Sequence, residues 1–517
     1  MRLVARWSLR ILLLFVALRA VAFCIHVYFD ASKTVENYHY ESTFVHFAWR
    51  VQVGLDLYPN WQELPHTNNF FAPLYFWTVG YLGRWIGVSM PELFHLSRVI
   101  TIVCALGTTL VVAGEGARRW GLAAGVIGGL ATIGPGPMVY FAVMARPDTM
   151  AEFFGVAGFM MATRSAIRST LFGCVLLALA ALTKQNYGIF LIAAVATLLI
   201  ARRFKTAIAV VGCSGAILFL IIVLATLCGE SRLLASFFDE GSFPFAFAIW
   251  RRIFVRLISL SPDTVVFAVL AIVLWSRPNQ RDIGLVTLAT ILLGLDVLSV
   301  AKTGSDLNYF LNLRCLGGLF VASLWHVGHG LDPLPKLGRQ NPNEPAEAKQ
   351  SQLTSSLGWI TAAAVVAILS VFPSLIFDAA VAENAWTRTR SFQSPHGKQF
   401  LAEFALIHRI AQDSNVKLFS DADYVAYYQG ERAAFLDAFD FRFLVETGRI
   451  QPDMLQHRFD SEYYDLILLS SDLNAPGYSQ YFKKLPASIA ESIRQHYKPT
   501  GMAASLFAYE PRSRPRR

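Results

Sequence analysis

The chain has 517 residues, of which 54% are hydrophobic and only 16% charged, with a mean hydropathy of +0.43. Because soluble domains carry roughly 25% charged residues, this composition excludes a soluble globular protein and indicates a membrane protein with several spans. The net charge of +9 does not indicate nucleic-acid binding, since the basic residues are scattered through loops and form no stripe interleaved with aromatic side chains. The six cysteines lie in or beside apolar segments and show neither a disulfide framework nor a zinc spacing.

Apolar stretches near the ~20 residues needed to cross a bilayer recur along the chain and predict about eleven transmembrane helices. The first is too long for a signal-peptide core, and no small-residue cleavage site follows it, so we expect it to be retained as an anchor. Two of the later stretches are weak and could form one re-entrant pair instead. The stretches are 9–28, 93–115, 121–143, 149–166, 169–183 and 187–201 (the weak pair), 206–227, 263–276, 283–301, 311–328 and 358–378.

The Lys and Arg residues of the short loops predict the orientation. A cytoplasmic amino terminus leaves every cytoplasmic segment basic, whereas the opposite orientation would export those residues. An odd number of spans then places the carboxyl terminus outside, which predicts a multi-pass protein of the plasma (inner) membrane. The predicted cytoplasmic basic residues are Arg2, Arg6, Arg10, Arg118, Arg119, Arg164, Arg168, Arg202, Arg203, Lys205, Arg277, Arg281, Lys336, Arg339 and Lys349.

Two domains are expected, a membrane domain over 1–380 and an extracytoplasmic domain over 381–517. Within the first, residues 30–92 form a long outer loop whose Trp and Tyr content predicts interfacial helices. A second outer loop, 229–262, mixes Arg with Phe and Trp, which is typical of a helix lying on the membrane. Residues 329–357 form a polar linker.

The tail beyond residue 380 has the pattern of a small α/β domain. Residues 416–420 and 464–470 are predicted as buried strands, 438–459 as helical, and 505–509 as a last strand. The tail shows no glycine-rich phosphate loop, so we assign it packing or acceptor recognition. The predicted fold class is therefore mainly α, a polytopic helical bundle with a small C-terminal extracytoplasmic α/β domain.

Charged clusters fall where the outer ends of the spans are predicted. They are Glu41 with Arg50, the turn from Arg146 to Glu152, and Thr183-Lys184-Gln185. Charge beside a bilayer is costly and usually retained for function, so a shared polar site on that face is the leading hypothesis. A further outer turn, 301–309, contains Lys302, Asn308 and Tyr309 and offers hydrogen-bonding groups. In the spans, Asp296 is expected to pair with a cation, and Arg19 to pair in the bundle or reach the headgroups.

A series of short motifs runs through roughly the first 200 residues. They are, in order, Glu41, Ala48-Trp49, Gly54, Tyr58, Pro73-Leu74-Tyr75, Ala145-Arg146-Pro147-Asp148 and Leu182-Thr183-Lys184-Gln185. These motifs resemble those of the GT-C membrane glycosyltransferases, a group that includes protein O-mannosyltransferases and lipid A aminoarabinose transferases. The chain departs from the family pattern at Tyr40, which stands where the first member of an acidic pair is usual.

This resemblance implies transfer of a sugar from a polyprenyl-phosphate donor to an envelope lipid, glycan or protein on the outer face. Glu41 or Asp148 would be the catalytic base, a role worth roughly 10²–10⁴-fold, and cations would absorb the growing charge of the lipid phosphate. Family members differ in their need for a divalent cation, so the resemblance leaves a metal open. The predicted substrate-binding residues are Arg146, Lys184, Lys302, Glu36, Glu152, Asn308 and Tyr309.

Some of these residues also have a purely structural interpretation. Asp148 could cap a helix that Pro147 begins, Lys184 could extend to the headgroups, and Glu36 could be a solvated loop residue. For the whole chain, the alternatives are a transporter or flippase, which usually shows internal repeats and charges near the midplane, and a membrane scaffold with an exported domain. We find no convincing repeat, and the notable charges lie at predicted helix ends, so the transferase is favoured.

Overall fold

The computed structural model describes residues 2–31, 33, 41–133, 141–235, 245–276, 282–300, 307–329, 346–391, 395–436, 438–446, 448–475, 485–503 and 505–513. These residues are mainly helical and include one small sheet. The chain forms two compact units, each assembled from separate stretches of sequence. The first unit comprises 1–31, 98–223 and 241–386, and the second comprises 32–97, 224–240 and 387–517.

The helices and strands are numbered in chain order. The helices are α1 (Arg2–Asp30), α2 (Glu41–Val53), α3 (Leu74–Ile86), α4 (Glu92–Trp120), α5 (Leu122–Ile133), α6 (Asp148–Ala162), α7 (Ile167–Thr183), α8 (Ile189–Ile200), α9 (Phe204–Leu227), α10 (Phe247–Leu260), α11 (Pro262–Trp275), α12 (Ile283–Ser299), α13 (Leu313–His329), α14 (Ala346–Ser391), α15 (Pro395–Gln412), α16 (Asp423–Gln429), α17 (Ala438–Glu446), α18 (Asp453–Asp460) and α19 (Ala487–His496). The strands are β1 (Leu418–Ser420), β2 (Leu466–Leu469), β3 (Tyr497–Ala503) and β4 (Leu506–Pro511).

Several of these helices are suited to a membrane, and the chain is a multi-pass membrane protein. Every apolar stretch singled out in the sequence coincides, wholly or in part, with a helix. Within the described residues, five helices are long and apolar enough to cross a bilayer, or six if α10 and α11, bent by 89°, form one broken span. Four shorter apolar helices accompany them. The number of about eleven spans and the cytoplasmic side of the bundle both stay predictions.

Small residues allow the helices of the first unit to pack closely. A Cβ atom on Gly318 of α13 would lie 2.6 Å from the carbonyl oxygen of Gly128 on α5 and 2.0 Å from Oγ1 of Thr132, so no larger residue fits. Close approach of this kind stabilises helix pairs that have no hydrophobic driving force between them in lipid. It also brings Arg314, one turn earlier on α13, within reach of α5, where its Nη1 donates to the Thr132 carbonyl at 3.2 Å.

A buried ion triad joins three helices of the same unit. Arg19 of α1 donates from Nη1 to Asp263 of α11 and from Nε to Asp378 of α14, both at 2.6 Å. All three side chains are buried. Of the two alternatives for Arg19, pairing within the bundle is the one observed, and its partners explain why a guanidinium is tolerated in an apolar span.

The second unit contains the predicted sheet. The strand order is β1-β2-β4-β3, with β1 parallel to β2 and the other two pairings antiparallel. Leu418 is paired with Leu466, and Ile467 with Tyr509. The strands predicted at 416–420, 464–470 and 505–509 each contain or overlap a strand of this sheet, while β3 was not predicted. The core beneath the sheet includes Phe419, Phe441, Leu444, Phe459, Ile467, Leu469, Ile489 and Tyr509.

Residues of the first outer loop belong to this unit and are held by the tail. Arg50 of α2 forms an ion pair with Glu431 and donates from Nε to the Asp56 carbonyl at 2.7 Å. The ring of Trp49 lies against Gly430, where φ is +60° and a Cβ would approach the Trp49 ring to 3.1 Å, so glycine is required there. The sequence placed this loop with the membrane domain, whereas it is grouped here with residues 387–517.

His46 and Glu431 make this contact sensitive to acid. The His46 Nε2 atom lies 3.7 Å from Glu431 Oε1, and burial lowers the pKa of His46 below its usual 6.5 despite the contact with Glu431. Burial alone would raise the pKa of Glu431, but the nearby His46 imidazole and the charge of Arg50 outweigh it and lower that pKa below 4.5. Both groups therefore bind more protons in the unfolded chain, and both lose their contribution to stability as the pH falls.

We expect acidification to loosen α2 in two steps. The contribution of His46 is complete above pH 6.5 and declines below it, and that of Glu431 declines below pH 4.5. Hydrogen–deuterium exchange of residues 41–53, corrected for the intrinsic rate, should accelerate in both ranges. His46→Gln should abolish the first step, while the matched change at the exposed His457 should leave it intact. Exchange that does not depend on pH would contradict this assignment.

Candidate functional site

The first unit gathers two cations and an amide around one buried carboxylate. Lys184 donates from Nζ to Asp148 Oδ1 at 2.7 Å, and Asn308 donates from Nδ2 to the same oxygen at 2.8 Å. Arg146 places Nε 3.3 Å from the other oxygen, Oδ2. Asp148 is 1% exposed. Two cations against one carboxylate give these three ionised side chains a local net charge of +1, which favours an anion beside them.

Breaks in the helices bring these residues together. Asp148 is the first residue of α6, and the preceding Pro147 makes no side-chain cap. Lys184 follows the end of α7 in an extended conformation, before a short 3-10 helix (Gln185–Gly188) that leads into α8. Asn308 lies in another short 3-10 helix (Leu307–Phe310) ahead of α13. The alternative that Asp148 merely caps its helix is therefore wrong, since its side chain is used by Lys184 and Asn308.

Aromatic rings complete the surroundings of the two cations. The Lys184 ammonium lies 5.4 Å from the centre of the Tyr309 ring, and the Arg146 guanidinium lies 5.7 Å from the centre of the Phe141 ring. Such contacts hold a cation in place without neutralising it. Lys184 is buried and paired, so the alternative that it simply extends to the headgroups is wrong.

Glu152, one helical turn after Asp148 on α6, is held in an ion pair with Arg314. Arg314 donates from Nε and Nη2 to its carboxylate at 2.6–2.8 Å. Both side chains are almost fully buried. The sequence assigned Glu152 to substrate binding and missed Arg314, although an arginine within the apolar stretch 311–328 is itself a signal. The Glu152–Arg314 ion pair joins α6 to α13 one helical turn after Asp148.

A second set of polar groups lies near the Glu152–Arg314 pair. Asn312 donates from Nδ2 to Asp296 Oδ1 at 3.1 Å, so the described contact of Asp296 is an amide and not the cation expected. Within the part of the chain that the structure describes, some buried polar atoms have no hydrogen-bond partner: the Tyr187 hydroxyl, Asp296 Oδ2, Asn308 Oδ1 and Asn312 Oδ1. Because buried polar atoms are almost always hydrogen-bonded, these are the atoms open to a polar ligand.

The remaining predicted site residues are Glu41, Glu36 and Lys302. Glu41 is the first residue of α2 in the second unit and is fully buried. Glu36 and Lys302 lie outside the described residues, so their roles stay predictions. Among the residues described, no three His, Cys, Asp or Glu side chains come together as metal ligands, and we derive no step through a metal.

Solved structures share this arrangement of the chain. ArnT from Cupriavidus metallidurans in the apo state covers 96% of this chain and 97% of its own, at 13% identity and a TM-score of 0.53. The same protein bound to undecaprenyl phosphate gives 16% identity and 0.52, with the same coverage. The Archaeoglobus fulgidus oligosaccharyltransferase tethered with an acceptor peptide gives 10% identity and 0.50, covering 94% and 72%.

The chain has the GT-C fold. ArnT, a lipid A aminoarabinose transferase, and the archaeal oligosaccharyltransferase are both GT-C proteins, so the resemblance inferred from the motifs is confirmed for the fold. No protein-family model and no curated protein matches the sequence. At identities this low, the structural similarity establishes only the fold. The reaction has to be argued from the site.

Replacing Arg314 should test how much the Arg314–Glu152 ion pair stabilises the fold. Arg314→Met leaves the Glu152 carboxylate buried without its cation, and breaking a buried pair in this way costs about 3–5 kcal/mol of unfolding free energy. Equilibrium unfolding in detergent micelles measures the change. Arg168→Met, at an exposed position on α7, is the control and should shift the value by less than about 0.5 kcal/mol. Equal effects of the two variants would show that the Arg314–Glu152 ion pair carries no stability.

Proposed function

We propose that the protein is a GT-C glycosyltransferase that takes a sugar from a polyprenyl-phosphate carrier and passes it to an envelope lipid, glycan or protein. The observation that carries the proposal is the convergence of Arg146 and Lys184 on Asp148 in the first unit. The fold shared with ArnT supports it, since that protein has been captured with undecaprenyl phosphate. The alternative of a transporter or flippase has no comparable observation in its favour.

The two cations suit the leaving group of this reaction. As the bond between the anomeric carbon and the phosphate oxygen breaks, the lipid phosphate keeps the electron pair and gains negative charge. Arg146 and Lys184 are held in place before the reaction, so they stabilise that charge without reorganising. Asp148 acts as a positioning residue in this proposal, because it fixes both cations and the Asn308 amide at distances of 2.7–3.3 Å.

The acceptor hydroxyl forms the new bond to the anomeric carbon and must lose its proton. Asp148 Oδ1 already accepts hydrogen bonds from Lys184 and Asn308, and Oδ2 lies 3.3 Å from Arg146, so two cations already compete with a proton for this carboxylate. We therefore assign the base to Glu41, on the strength of its match to the family motif. The unpartnered atoms of Tyr187, Asn308 and Asn312 are proposed to hydrogen-bond the sugar hydroxyls.

Replacing Lys184 should slow transfer. Lys184→Met removes one stabilising cation, and we expect kcat to fall about 10²–10³-fold, as for other preorganised electrostatic groups. Lys184→Arg should retain more activity than Lys184→Met because it keeps the charge. Membranes supplied with radiolabelled polyprenyl phosphate sugar and extracted acceptors provide the assay. Lys205→Met changes an exposed lysine of α9 and is expected to transfer at the parental rate; a similar loss there would remove the special role of Lys184.

The pH dependence of transfer separates the two candidate acids. If Glu41 is the base, Glu41→Gln lowers kcat about 10²–10⁴-fold and removes the acidic limb of the profile. Asp148→Asn then lowers kcat but keeps that limb, because it disturbs only the cations. The reverse pattern would assign the base to Asp148, and unchanged transfer in both variants would refute the proposed site. Accumulation of intact donor across the membrane without a new glycosidic bond would favour the transporter.

A further inference from the structure

A second cluster of charges lies at the other end of the first unit. Glu115, near the end of α4, accepts hydrogen bonds from Arg118 at 2.5 and 3.0 Å, from Arg119 at 2.5 Å and from Arg164 at 3.2 Å. Arg119 also pairs with Asp282, which caps α12. These five residues are named the Glu115 cluster. Nothing in the proposed reaction uses them.

The Glu115 cluster is remote from the candidate site. Arg164 follows the carboxyl end of α6, whereas Asp148 begins that helix. Fifteen residues of α helix span about 22 Å. The clusters therefore occupy opposite ends of the same helix, and a ligand of the Glu115 cluster is a different ligand from the sugar donor.

The Glu115 cluster has more hydrogen-bond donors on its guanidinium groups than its two carboxylates can accept. The Glu115 side chain is 2% exposed, and one buried carboxylate orients three guanidinium groups. Three cations and two carboxylates leave a net charge of +1. Each guanidinium has five N–H donors in a fixed fork that matches a phosphate. Within the described residues, the buried Nε of Arg164 has no hydrogen-bond partner, while the side chains of Arg118 and Arg164 are 52% and 40% exposed.

The surface around the cluster is apolar and faces outward. Leu122 at the start of α5, Ile167 at the start of α7 and Phe204 at the start of α9 are 77%, 67% and 57% exposed. All three lie within a few residues of cluster members or of Arg203, whose guanidinium donates to the Arg164 carbonyl at 2.7 Å. A ligand with a phosphate and acyl chains uses both surfaces, whereas a soluble anion would use only the guanidinium groups.

We propose that the Glu115 cluster binds the phosphate of an anionic membrane phospholipid, at the end of the bundle opposite Asp148. The guanidinium N–H groups of Arg118 and Arg164 that Glu115 does not use hold the phosphate, and the acyl chains lie on the apolar side chains of α5, α7 and α9. Basic pockets between membrane helices recognise headgroups in this way. The bound lipid fixes the ends of α4, α6 and α12 relative to one another.

Lipid retention by the full-length protein tests the proposal. Native mass spectrometry from nanodiscs with equal phosphatidylglycerol and phosphatidylcholine should show preferential retention of phosphatidylglycerol. The double variant Arg118→Gln/Arg164→Gln should lower that preference about thirtyfold, because two arginines at roughly 1 kcal/mol each contribute about 2 kcal/mol at a membrane surface. The control Arg168→Gln/Lys205→Gln removes the same charge from exposed residues of α7 and α9 and should keep the preference.

Three results would overturn the proposal. They are equal retention of the two lipids by the parent, an equal loss in the double variant and its control, and displacement of the lipid by free glycerol phosphate. The second result would show only diffuse attraction, and the third a site for soluble anions. If the double variant does not fold, Arg118→Lys is the second test, because it keeps the charge but lacks the planar guanidinium group. A severalfold loss of the preference for phosphatidylglycerol is then expected. An unchanged preference would again refute the site.

Discussion

A charge inside an apolar helical bundle must be paired there, and this constraint organises the whole first unit. Placing an ion in a medium of low dielectric costs several kcal/mol unless a partner of opposite charge and further hydrogen bonds are present. Arg19 meets that requirement with two aspartates, and Arg314 with Glu152. Each pairing joins helices that are distant in sequence, so the charges and not only the apolar faces determine which helices are neighbours.

The Asp148 cluster, which consists of Asp148, Arg146, Lys184 and Asn308, also pairs its charges, but it does so at helix ends. Its members stand where helices are interrupted, at the start of α6, after α7 and before α13. At these helix ends the carboxylate accepts hydrogen bonds from the ammonium and the amide. Because cations exceed acids here, the cluster retains attraction for an anion, whereas the neutral pair of Glu152 and Arg314 serves as a brace.

Much of this could be predicted from sequence, and the failures have a common cause. Apolar length located the helices, and short apolar runs located three of the four strands. The order of Arg146, Asp148 and Lys184 at predicted helix ends indicated their convergence. Arg314 was missed because its partner lies 162 residues away, and Asp296 was assigned a cation although an amide sixteen residues later is its contact. Partners of that kind depend on helix packing, which local patterns do not contain.

The sequence by itself determined the membrane class, the helical architecture with its small sheet, and the presence of charged residues beside the apolar segments. Composition and periodicity carry that information because burial of apolar surface is a local property of each segment. Only the tertiary structure decided which charges neutralise one another, that Glu152 is occupied by Arg314, and that the first outer loop packs with the tail. Those outcomes follow from electrostatic pairing over long chain separations, which exists only once the helices and strands have packed.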